Sequence, residues 1–318
     1  MHGWLILDKP LGLGSTQAVS AVKRALRDGG YPRVKVGHGG TLDPLATGVL
    51  PVALGEATKL AGRLLDSDKV YDFTIRFGEQ TDTLDAEGKV IATSHVRPTL
   101  AAIEAVLPSF TGPIEQTPPA FSALKVDGAR AYDLARAGEQ VVLATRRVTV
   151  HALVRHPRAR EDPFRDRSAR VDAREMGPRL RGGDEGEVTL TAHVSKGTYI
   201  RSLARDIALA LGTVGHVTML RRTRAGPFDL AQAITLDKLG EAGKARTLEH
   251  HLLPLRAGLD DIPALPLTPD QAGALRQGRV LAGIAADDGL HLALLDDVPV
   301  ALVEVGDGHV RVERGFNL

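Results

Sequence analysis

The residues with the clearest chemical potential lie in one glycine-rich stretch, residues 37–58, which reads GHGGTLDPLATGVLPVALGEAT and contains Asp43. An aspartate before a proline commonly caps a helix. Here Gly48 would interrupt that helix after four residues, so a cap would stabilise little. Glycines at 37, 39 and 40 let the backbone approach a ligand closely. A carboxylate in such a loop could act as a nucleophile or as a general base.

The sequence gives little support for two other kinds of site, a nucleotide-binding loop and a metal centre. No Gly-Lys pair is followed by Ser or Thr, which excludes a nucleotide-binding P-loop. His38 and Asp43 lack the paired spacing of zinc ligands, and the chain has no cysteine. We therefore expect no metal and no cofactor.

The composition is that of a folded protein, with 318 residues, 43% hydrophobic and 25% charged. A chain of this length is expected to form roughly two domains. A net charge of +1 does not by itself indicate a nucleic-acid-binding protein. The cluster LRRTRAG, with Arg221, Arg222 and Arg224, fits either a solvated turn or a contact to phosphates.

The sequence favours the cytoplasm and gives no sign of a membrane protein. The N-terminal MHGWLILDKP reaches Asp8 and Lys9 too early for the apolar region of a signal peptide. No apolar run approaches the roughly 18 residues that span a bilayer. The absence of cysteine fits a reducing compartment.

Short apolar segments alternate with helical patterns in the first part of the chain. GWLILDKP predicts a strand, GSTQAVSAVKRALRDGG a helix capped by Ser15 or Thr16, and GVLPVAL a second strand. GEATKLAGRLLDS predicts a helix with Leu60, Leu64 and Leu65 facing inward.

The middle of the chain alternates with period two. KVYDFTIRFGEQTDTLDAEGKVIATS predicts a hairpin in which Tyr71, Phe73, Ile75 and Phe77 share one face. TRRVTVHALV and EVTLTAHV predict strands that pair with each other, and GTYIRSLARDIALALG predicts an amphipathic helix. Residues 155–187 are highly charged and predict a mobile insert between the paired strands.

The amino-acid composition changes near residue 256, where a proline-rich linker begins. Short strand patterns with turn signals follow it and predict a small all-β domain. We therefore place the domains at 1–256 and 257–318.

Six blocks resemble, in order, the pseudouridine synthases of the TruB type. The catalytic stretch GHGGTLDPLATGVLPVALGEATK is accompanied by five others: DKPLGLGS at 8–15, LLDSDKVYDFTIRFGEQTDTLDAEG at 64–88, QTPPAFSALKVDGARAYDLARAGE at 116–139, SKGTYIRSLARDIALALG at 195–212 and GHVTMLRRTRAGPF at 215–228. The C-terminal part resembles the small PUA-type RNA-binding domain of such enzymes. The insert at 155–187 departs from the family pattern.

The resemblance implies an α+β fold with a mixed, largely antiparallel central sheet and a small C-terminal all-β PUA-like domain. It implies isomerisation of uridine 55 in the T loop of tRNA to pseudouridine. The base flips out, its glycosidic bond is cleaved with the help of an aspartate, and the base rejoins through C5. The family needs no cofactor and no metal.

The same resemblance assigns roles to individual residues. Asp43 falls on the catalytic aspartate, Arg201 on an arginine paired with it, and Tyr71 on the active-site tyrosine. Tyr199 becomes a pocket wall, and His38 a residue that occupies the space left by the flipped nucleotide.

Six further residues receive weaker assignments. Asp85 is expected in a supporting or turn role. Lys9, Lys59, Arg221, Arg222 and Arg224 are candidates for tRNA backbone contacts, with a structural role as the alternative for Lys9 and Lys59. Read from the residues alone, the pattern favours Tyr71 as a core residue, and His38 can be a hydrogen-bonded loop histidine.

The expected partner is the T-stem-loop of tRNA, bound by a monomer without a guide RNA. Three alternatives stay open at this point: the guide-RNA-dependent branch of the superfamily, an RNA-binding protein without activity, and a carbohydrate enzyme with one carboxylate.

Overall fold

The computed structural model describes residues 1–122, 124–126, 129–137, 143–156 and 186–318. The charged insert predicted at 155–187 therefore lies almost entirely outside the described residues. Within these ranges, no helix has both the length and the apolar character needed to cross a membrane.

The chain alternates strands with short helices throughout. The strands are β1 Gly3–Lys9, β2 Val36–His38, β3 Ala46–Leu54, β4 Lys69–Phe77, β5 Glu79–Thr81, β6 Val90–Thr93, β7 Gly112–Gln116, β8 Lys125–Val126, β9 Ala129–Arg130, β10 Arg146–Arg155, β11 Glu187–Val194, β12 Gly215–Ala225, β13 Phe228–Asp229, β14 Ala264–Pro266, β15 Leu281–Ala282, β16 Gly289–Leu295, β17 Val298–Gly306 and β18 His309–Gly315. The α-helices are α1 Ser15–Asp28, α2 Ala61–Asp66, α3 Leu100–Val106, α4 Ala131–Arg136, α5 Ile200–Ala210, α6 Leu236–Ala245 and α7 Pro269–Arg276. Single 3₁₀ turns cover Gly55–Leu60, Leu107–Phe110, Leu230–Gln232, Leu248–His251 and Leu255–Gly258.

The chain forms two compact units. The first combines Met1–Ser67 with Arg222–Leu318, and the second is Asp68–Arg221. The division between them falls within β12, so this strand contributes residues to both units.

In the first unit, residues 48–54 of β3 pair antiparallel with β1, and residues 52–54 also pair with β2. Trp4 of β1 belongs to the buried core of this unit. Its ring centroid is 5.4 Å from that of Phe228, and its indole N–H donates to the carbonyl of Leu255 at 3.1 Å. The buried Trp4 therefore joins the first strand to segments more than 200 residues later in the chain.

The C-terminal strands of the first unit form a separate five-stranded sheet in the order β14–β16–β17–β18–β15. One face contributes Leu292, Leu302 and Phe316 to the cluster around Trp4. The other face packs with α7 in a second cluster. The predicted C-terminal strands are confirmed, and α7 is an element that we had not expected. The boundary at residue 256 stays a prediction, since the compact units divide the chain elsewhere.

In the second unit, β4, β11, β10 and β7 form a continuous antiparallel order. Phe73, Ile75 and Phe77 lie buried on one face of β4. Leu203 and Ile207 of α5 belong to the same buried cluster. The predicted pairing of residues 145–154 with 187–194 is confirmed, whereas the predicted hairpin is wrong in part. The partner of β4 is β11, and the hairpin is the short β5–β6 pair.

Two local predictions in the first unit are corrected. The cap of α1 is Gly14, whose N–H donates to the Gln17 side chain, rather than Ser15 or Thr16. Leu65 is 53% exposed although Leu60 and Leu64 are buried. The turn at Gly55–Leu60 is 3₁₀ and not α-helical, so the spacing of a continuous helix does not apply.

We expect Gly48→Ala to be strongly destabilising. Gly48 has a φ of +99°, and a Cβ there would collide with the backbone oxygen of Arg222 on β12. A side chain is strained at this left-handed φ, and the backbone must shift to relieve the collision. Together these effects should lower the free energy of unfolding, measured by urea denaturation, by about 2–4 kcal/mol. The matched control is Gly240→Ala in α6, where a Cβ meets no atom of the described residues within 4 Å. That helix substitution should be neutral or stabilising by up to about 1 kcal/mol, and equal losses for both variants would contradict the argument.

Candidate active site

Asp43 lies in the loop between β2 and β3, and no helix begins there. The backbone N–H of Ala46 donates to the Asp43 carbonyl at 3.0 Å, which closes a turn that leads directly into β3. The Asp43 side chain is half-buried. A short turn at the start of a buried strand therefore fixes the carboxylate, in place of the helix that an Asp-Pro pair commonly starts.

The side chain of Arg222 supports this loop from the protein interior and is only 1% exposed. Its Nε donates to the Val49 carbonyl at 2.8 Å. Its Nη1 and Nη2 donate to the carbonyls of Thr41 and Gly40, both at 3.3 Å. The guanidinium carries five donors in a rigid plane, so it ties the glycine-rich backbone to β3 at defined positions.

Lys9 and Ser15 hold the other side of the loop. The Nζ of Lys9 donates to the carbonyls of Leu13 at 2.6 Å, Pro10 at 3.0 Å and Pro44 at 3.3 Å. The Ser15 hydroxyl accepts from the N–H of Leu42 at 2.8 Å. Residues at the start of α1 and at the end of β1 therefore form hydrogen bonds to the residues on either side of Asp43.

Electrostatics couples Lys9 to both Asp43 and Arg222. Burial lowers the pKa of Lys9 from its ordinary value to about 8; the Asp43 carboxylate opposes this shift and the Arg222 charge adds to it. Burial also lowers the pKa of His38, as does Arg222. His38 is therefore neutral at pH 7, and among the described residues its buried Nδ1 has no hydrogen-bonding partner.

Burial decides the roles of Lys9 and Arg222. We expected Arg222 as a tRNA backbone contact and Lys9 as either a structural residue or a phosphate contact. The side chains of Lys9 and Arg222 are 0% and 1% exposed and donate to backbone carbonyls of this loop. They position the loop instead. Arg224 is exposed, with its Nε donating to the Gly226 carbonyl, and Arg221 is half-buried. Lys59 pairs with Glu56 at 2.7 Å.

Arg201 organises a second polar group, in the second unit. Its Nη1 donates to Asp85 Oδ2 at 3.0 Å and to the Thr83 carbonyl at 2.9 Å, and its Nη2 donates to the Phe121 carbonyl at 3.0 Å. Both charged side chains are about nine-tenths buried. Asp85 is thus an ion-pair partner of Arg201, whereas the pairing with Asp43 that the resemblance implies stays a prediction.

A strained turn presents Asp85 to this arginine. Asp85 Oδ1 accepts from the Thr83 hydroxyl at 2.6 Å and from the Glu87 N–H at 3.1 Å. Leu84 between them has a φ of +63°, a costly conformation for a branched side chain. Sequence reasoning found Asp85 but missed that Thr83 orients it, although the TDTLDAEG block contains both.

Tyr199 and Tyr71 are held differently. The Gln116 side chain accepts from the Tyr199 N–H at 2.7 Å and donates to its carbonyl at 3.1 Å. The Arg146 guanidinium lies 5.4 Å from the Tyr199 ring centroid. Tyr71 lies on β4 opposite Ala192 and packs, partly buried, against the core of the second unit. We had not predicted Gln116, because a single glutamine gives no sequence signal of this kind.

Comparisons with known proteins define the class. Residues 29–200 match the family model described as TruB family pseudouridylate synthase (N terminal domain). Residues 201–260 match the model described as tRNA pseudouridylate synthase B C-terminal domain. The chain is therefore of the pseudouridylate synthase class.

Full-length relatives give the family within that class. The chain is 62% identical to tRNA pseudouridine synthase B of Novosphingobium aromaticivorans, covering all of this chain and 98% of that protein. It is 56% identical to the protein of the same name in Zymomonas mobilis, covering all of this chain and 96% of that protein. The chain belongs to the TruB family.

Solved structures agree with the fold. The chain has a TM-score of 0.69 and 26% identity to a chain of a crystal structure of a Cbf5-Nop10-Gar1 complex, covering 99% of this chain and 85% of that one. A structure of an H/ACA RNP bound to a substrate RNA containing 2'-deoxyuridine gives a TM-score of 0.68 at the same identity and coverage. The predicted α+β fold is confirmed.

We expect Lys9 to make stability depend on alkaline pH. Its pKa of about 8 in the folded chain lies below its ordinary value of 10.5, so between these values the unfolded chain binds more protons. Stability attributable to Lys9 should therefore rise with pH, by about 1 kcal/mol per unit between pH 8 and 10. Urea unfolding at pH 7, 8, 9 and 10 should show this rise in the wild type and its loss in Lys9→Met.

The exposed Lys23 provides the control. Lys23→Met should keep the pH dependence of the wild type. A constant stability difference between wild type and Lys9→Met across pH 7–10 would show that Lys9 does not titrate in this range.

Proposed function

We propose that this protein isomerises uridine 55 in the T loop of tRNA to pseudouridine. The observation that carries the proposal is the half-buried Asp43, held by buried donors to the loop backbone on both sides, in a chain that belongs to the TruB family. The relatives named above carry the name tRNA pseudouridine synthase B.

Asp43 is the catalytic residue in this proposal. Its carboxylate either adds to the sugar C1′ or removes a proton from the sugar as the glycosidic bond breaks. The freed uracil turns within the site and forms a new bond from C5 to C1′. The proton that C5 loses moves to the N1 that left, so the reaction is an isomerisation without any external reagent. The Asp43 carboxylate attracts the Lys9 ammonium, which raises the pKa of Lys9 against the effect of burial.

The remaining site residues bind the substrate. Tyr71 stacks on the uracil, and Tyr199 forms a wall of the pocket. Arg201, fixed by Asp85, presents its charge to the substrate. His38 occupies the space of the flipped nucleotide. Its uncharged ring supports this role, as does its buried Nδ1, which has no hydrogen-bonding partner in the described part of the chain.

We further propose that the enzyme acts as a cytoplasmic monomer on the T-stem-loop, without a guide RNA, a catalytic metal or a cofactor. The full-length match to relatives named as tRNA enzymes supports this view. The structural neighbours solved in protein complexes favour a second candidate, an enzyme that needs partners to act. The residues 257–318 are proposed as a PUA-like RNA-binding domain.

Asp43→Asn should abolish turnover while the protein still binds tRNA. The amide keeps the shape of the side chain but can neither attack carbon nor accept a proton. Purified protein is incubated with an unmodified tRNA transcript, and pseudouridine is mapped by chemical labelling and primer extension. We expect the rate to fall by roughly a thousandfold or more, with tRNA affinity within a few-fold of wild type.

Asp28→Asn is the matched control, since Asp28 is an exposed aspartate at the end of α1. It should retain the wild-type rate. An inactive wild type would contradict the proposed function, and activity only after addition of partner proteins and a guide RNA would support the second candidate. An Asp43→Asn enzyme at full rate would remove Asp43 from the mechanism.

Arg224 is the exposed member of the basic cluster and the one that suits a phosphate contact. Arg224→Gln should weaken tRNA binding roughly two- to fivefold at low salt and reduce the slope of log affinity against log salt by about 1. Filter binding at several salt concentrations measures both quantities. Arg27→Gln, at an exposed arginine of α1, is the control and should leave the slope unchanged.

A further inference from the structure

The second unit holds a cluster of potential metal ligands that the proposed reaction does not use. Asp68 Oδ2 lies 3.1 Å from His151 Nε2 and 3.7 Å from His193 Nε2. The imidazole rings are 4.8 Å apart between centroids and inclined by 46°. One ligand atom from each of the three residues lies within 4.8 Å of the other two.

Strand pairing brings these residues together from three distant positions. His193 lies opposite Val70 in the register of β11 and β4. Asp68 precedes Val70 by two positions, and alternation therefore puts it on the same face. That face is opposite to the one that carries the buried Phe73.

A β-bulge supplies the third ligand. The register of β10 and β11 shifts between Val150 and Ala152, which leaves His151 as the extra residue. His151 and Ala152 are both exposed between the buried Val150 and Leu153. Without the bulge, alternation would place His151 and Ala152 on opposite faces of the sheet. The bulge places both on the same face, so the His151 imidazole lies towards His193.

We propose that Asp68, His151 and His193 bind a divalent transition metal ion, with zinc as the best fit. Two imidazole nitrogens and one carboxylate oxygen form a donor set that suits zinc and its neighbours in the first transition row. Ligands about 2.1 Å from a tetrahedral zinc are about 3.4 Å apart. The two oxygen–nitrogen distances at this cluster, 3.1 and 3.7 Å, lie on either side of that value.

The surroundings of the cluster suit an ion with an open position. Each of the three side chains is between 38% and 48% exposed, so water completes the coordination. The bound ion links the start of β4 to β10 and β11, and its coordination by His151 fixes the conformation of the bulge. It therefore stabilises this edge of the sheet and takes no part in the isomerisation.

The same face of the sheet provides an internal comparison. His156 lies 3.8 Å from Asp72, but there the Thr191 hydroxyl donates to Asp72 at 2.6 Å. His156 also contacts the Thr191 hydroxyl at 3.1 Å. This second group pairs one histidine with one carboxylate and offers two ligands where the first offers three. His156→Gln is thus a matched control for a nearby histidine next to an aspartate.

The test is zinc binding by the full chain, purified without a histidine tag and treated with a chelator. Isothermal titration with zinc chloride should show a site with a dissociation constant on the order of micromolar. His151→Gln and His193→Gln should each weaken that site at least tenfold, and Asp68→Asn severalfold. His156→Gln should leave it within twofold of wild type. Cobalt should give the visible absorption of a tetrahedral site in the wild type and lose it in His151→Gln.

Thermal unfolding separates binding from folding. The metal-free variants should unfold within a few degrees of the wild type, since all the substituted residues are exposed or half-buried. Zinc should raise the midpoint of the wild type and not that of His151→Gln. The proposal is overturned if the wild type binds zinc no tighter than His151→Gln and His193→Gln, or if His156→Gln weakens binding as much as they do.

Discussion

The buried guanidinium of Arg222 is the contact on which the Asp43 loop depends. Residues 37–48 contain four glycines, and such a backbone has many accessible conformations. Three hydrogen bonds from one planar group select a single conformation and attach it to β3. A buried carbonyl left without a donor costs about 1–3 kcal/mol, so removing this side chain would disturb several groups at once.

A buried cation is costly unless polar groups surround it, and the first unit provides them from the loop itself. Lys9 donates to three carbonyls, and Arg222 to three more. The loop gains its shape and the cations gain their solvation from the same hydrogen bonds. Gly48 must stay without a side chain, because a Cβ there would collide with the backbone of Arg222.

The second unit uses the same principle with an arginine and an aspartate. Arg201 satisfies the carbonyls of Thr83 and Phe121 while it pairs with Asp85. Gln116 satisfies both backbone groups of Tyr199. Each residue expected in substrate binding here is attached to a neighbour by hydrogen bonds or by packing, so the side chains are placed before any substrate arrives. Such preorganisation lowers the cost of reaching the transition state.

The sequence alone determined most of the local elements and singled out Asp43 as the candidate catalytic carboxylate. Alternation along residues 69–77 and helical spacing along residues 198–212 depend on neighbours in the chain, and both agreed with the structure. The tertiary structure decided which charged residues are buried. The sequence indicated a surface cation at Arg222 and left Lys9 between a structural role and a phosphate contact, because nothing nearby in sequence shows the carbonyls that accept their hydrogen bonds. The Arg201–Asp85 pair and the cluster of Asp68, His151 and His193 likewise depend on long-range strand and loop contacts. Spacing along the chain does not predict a contact between residues more than 100 positions apart. Such contacts form only when the chain folds, through strand pairing and bulges.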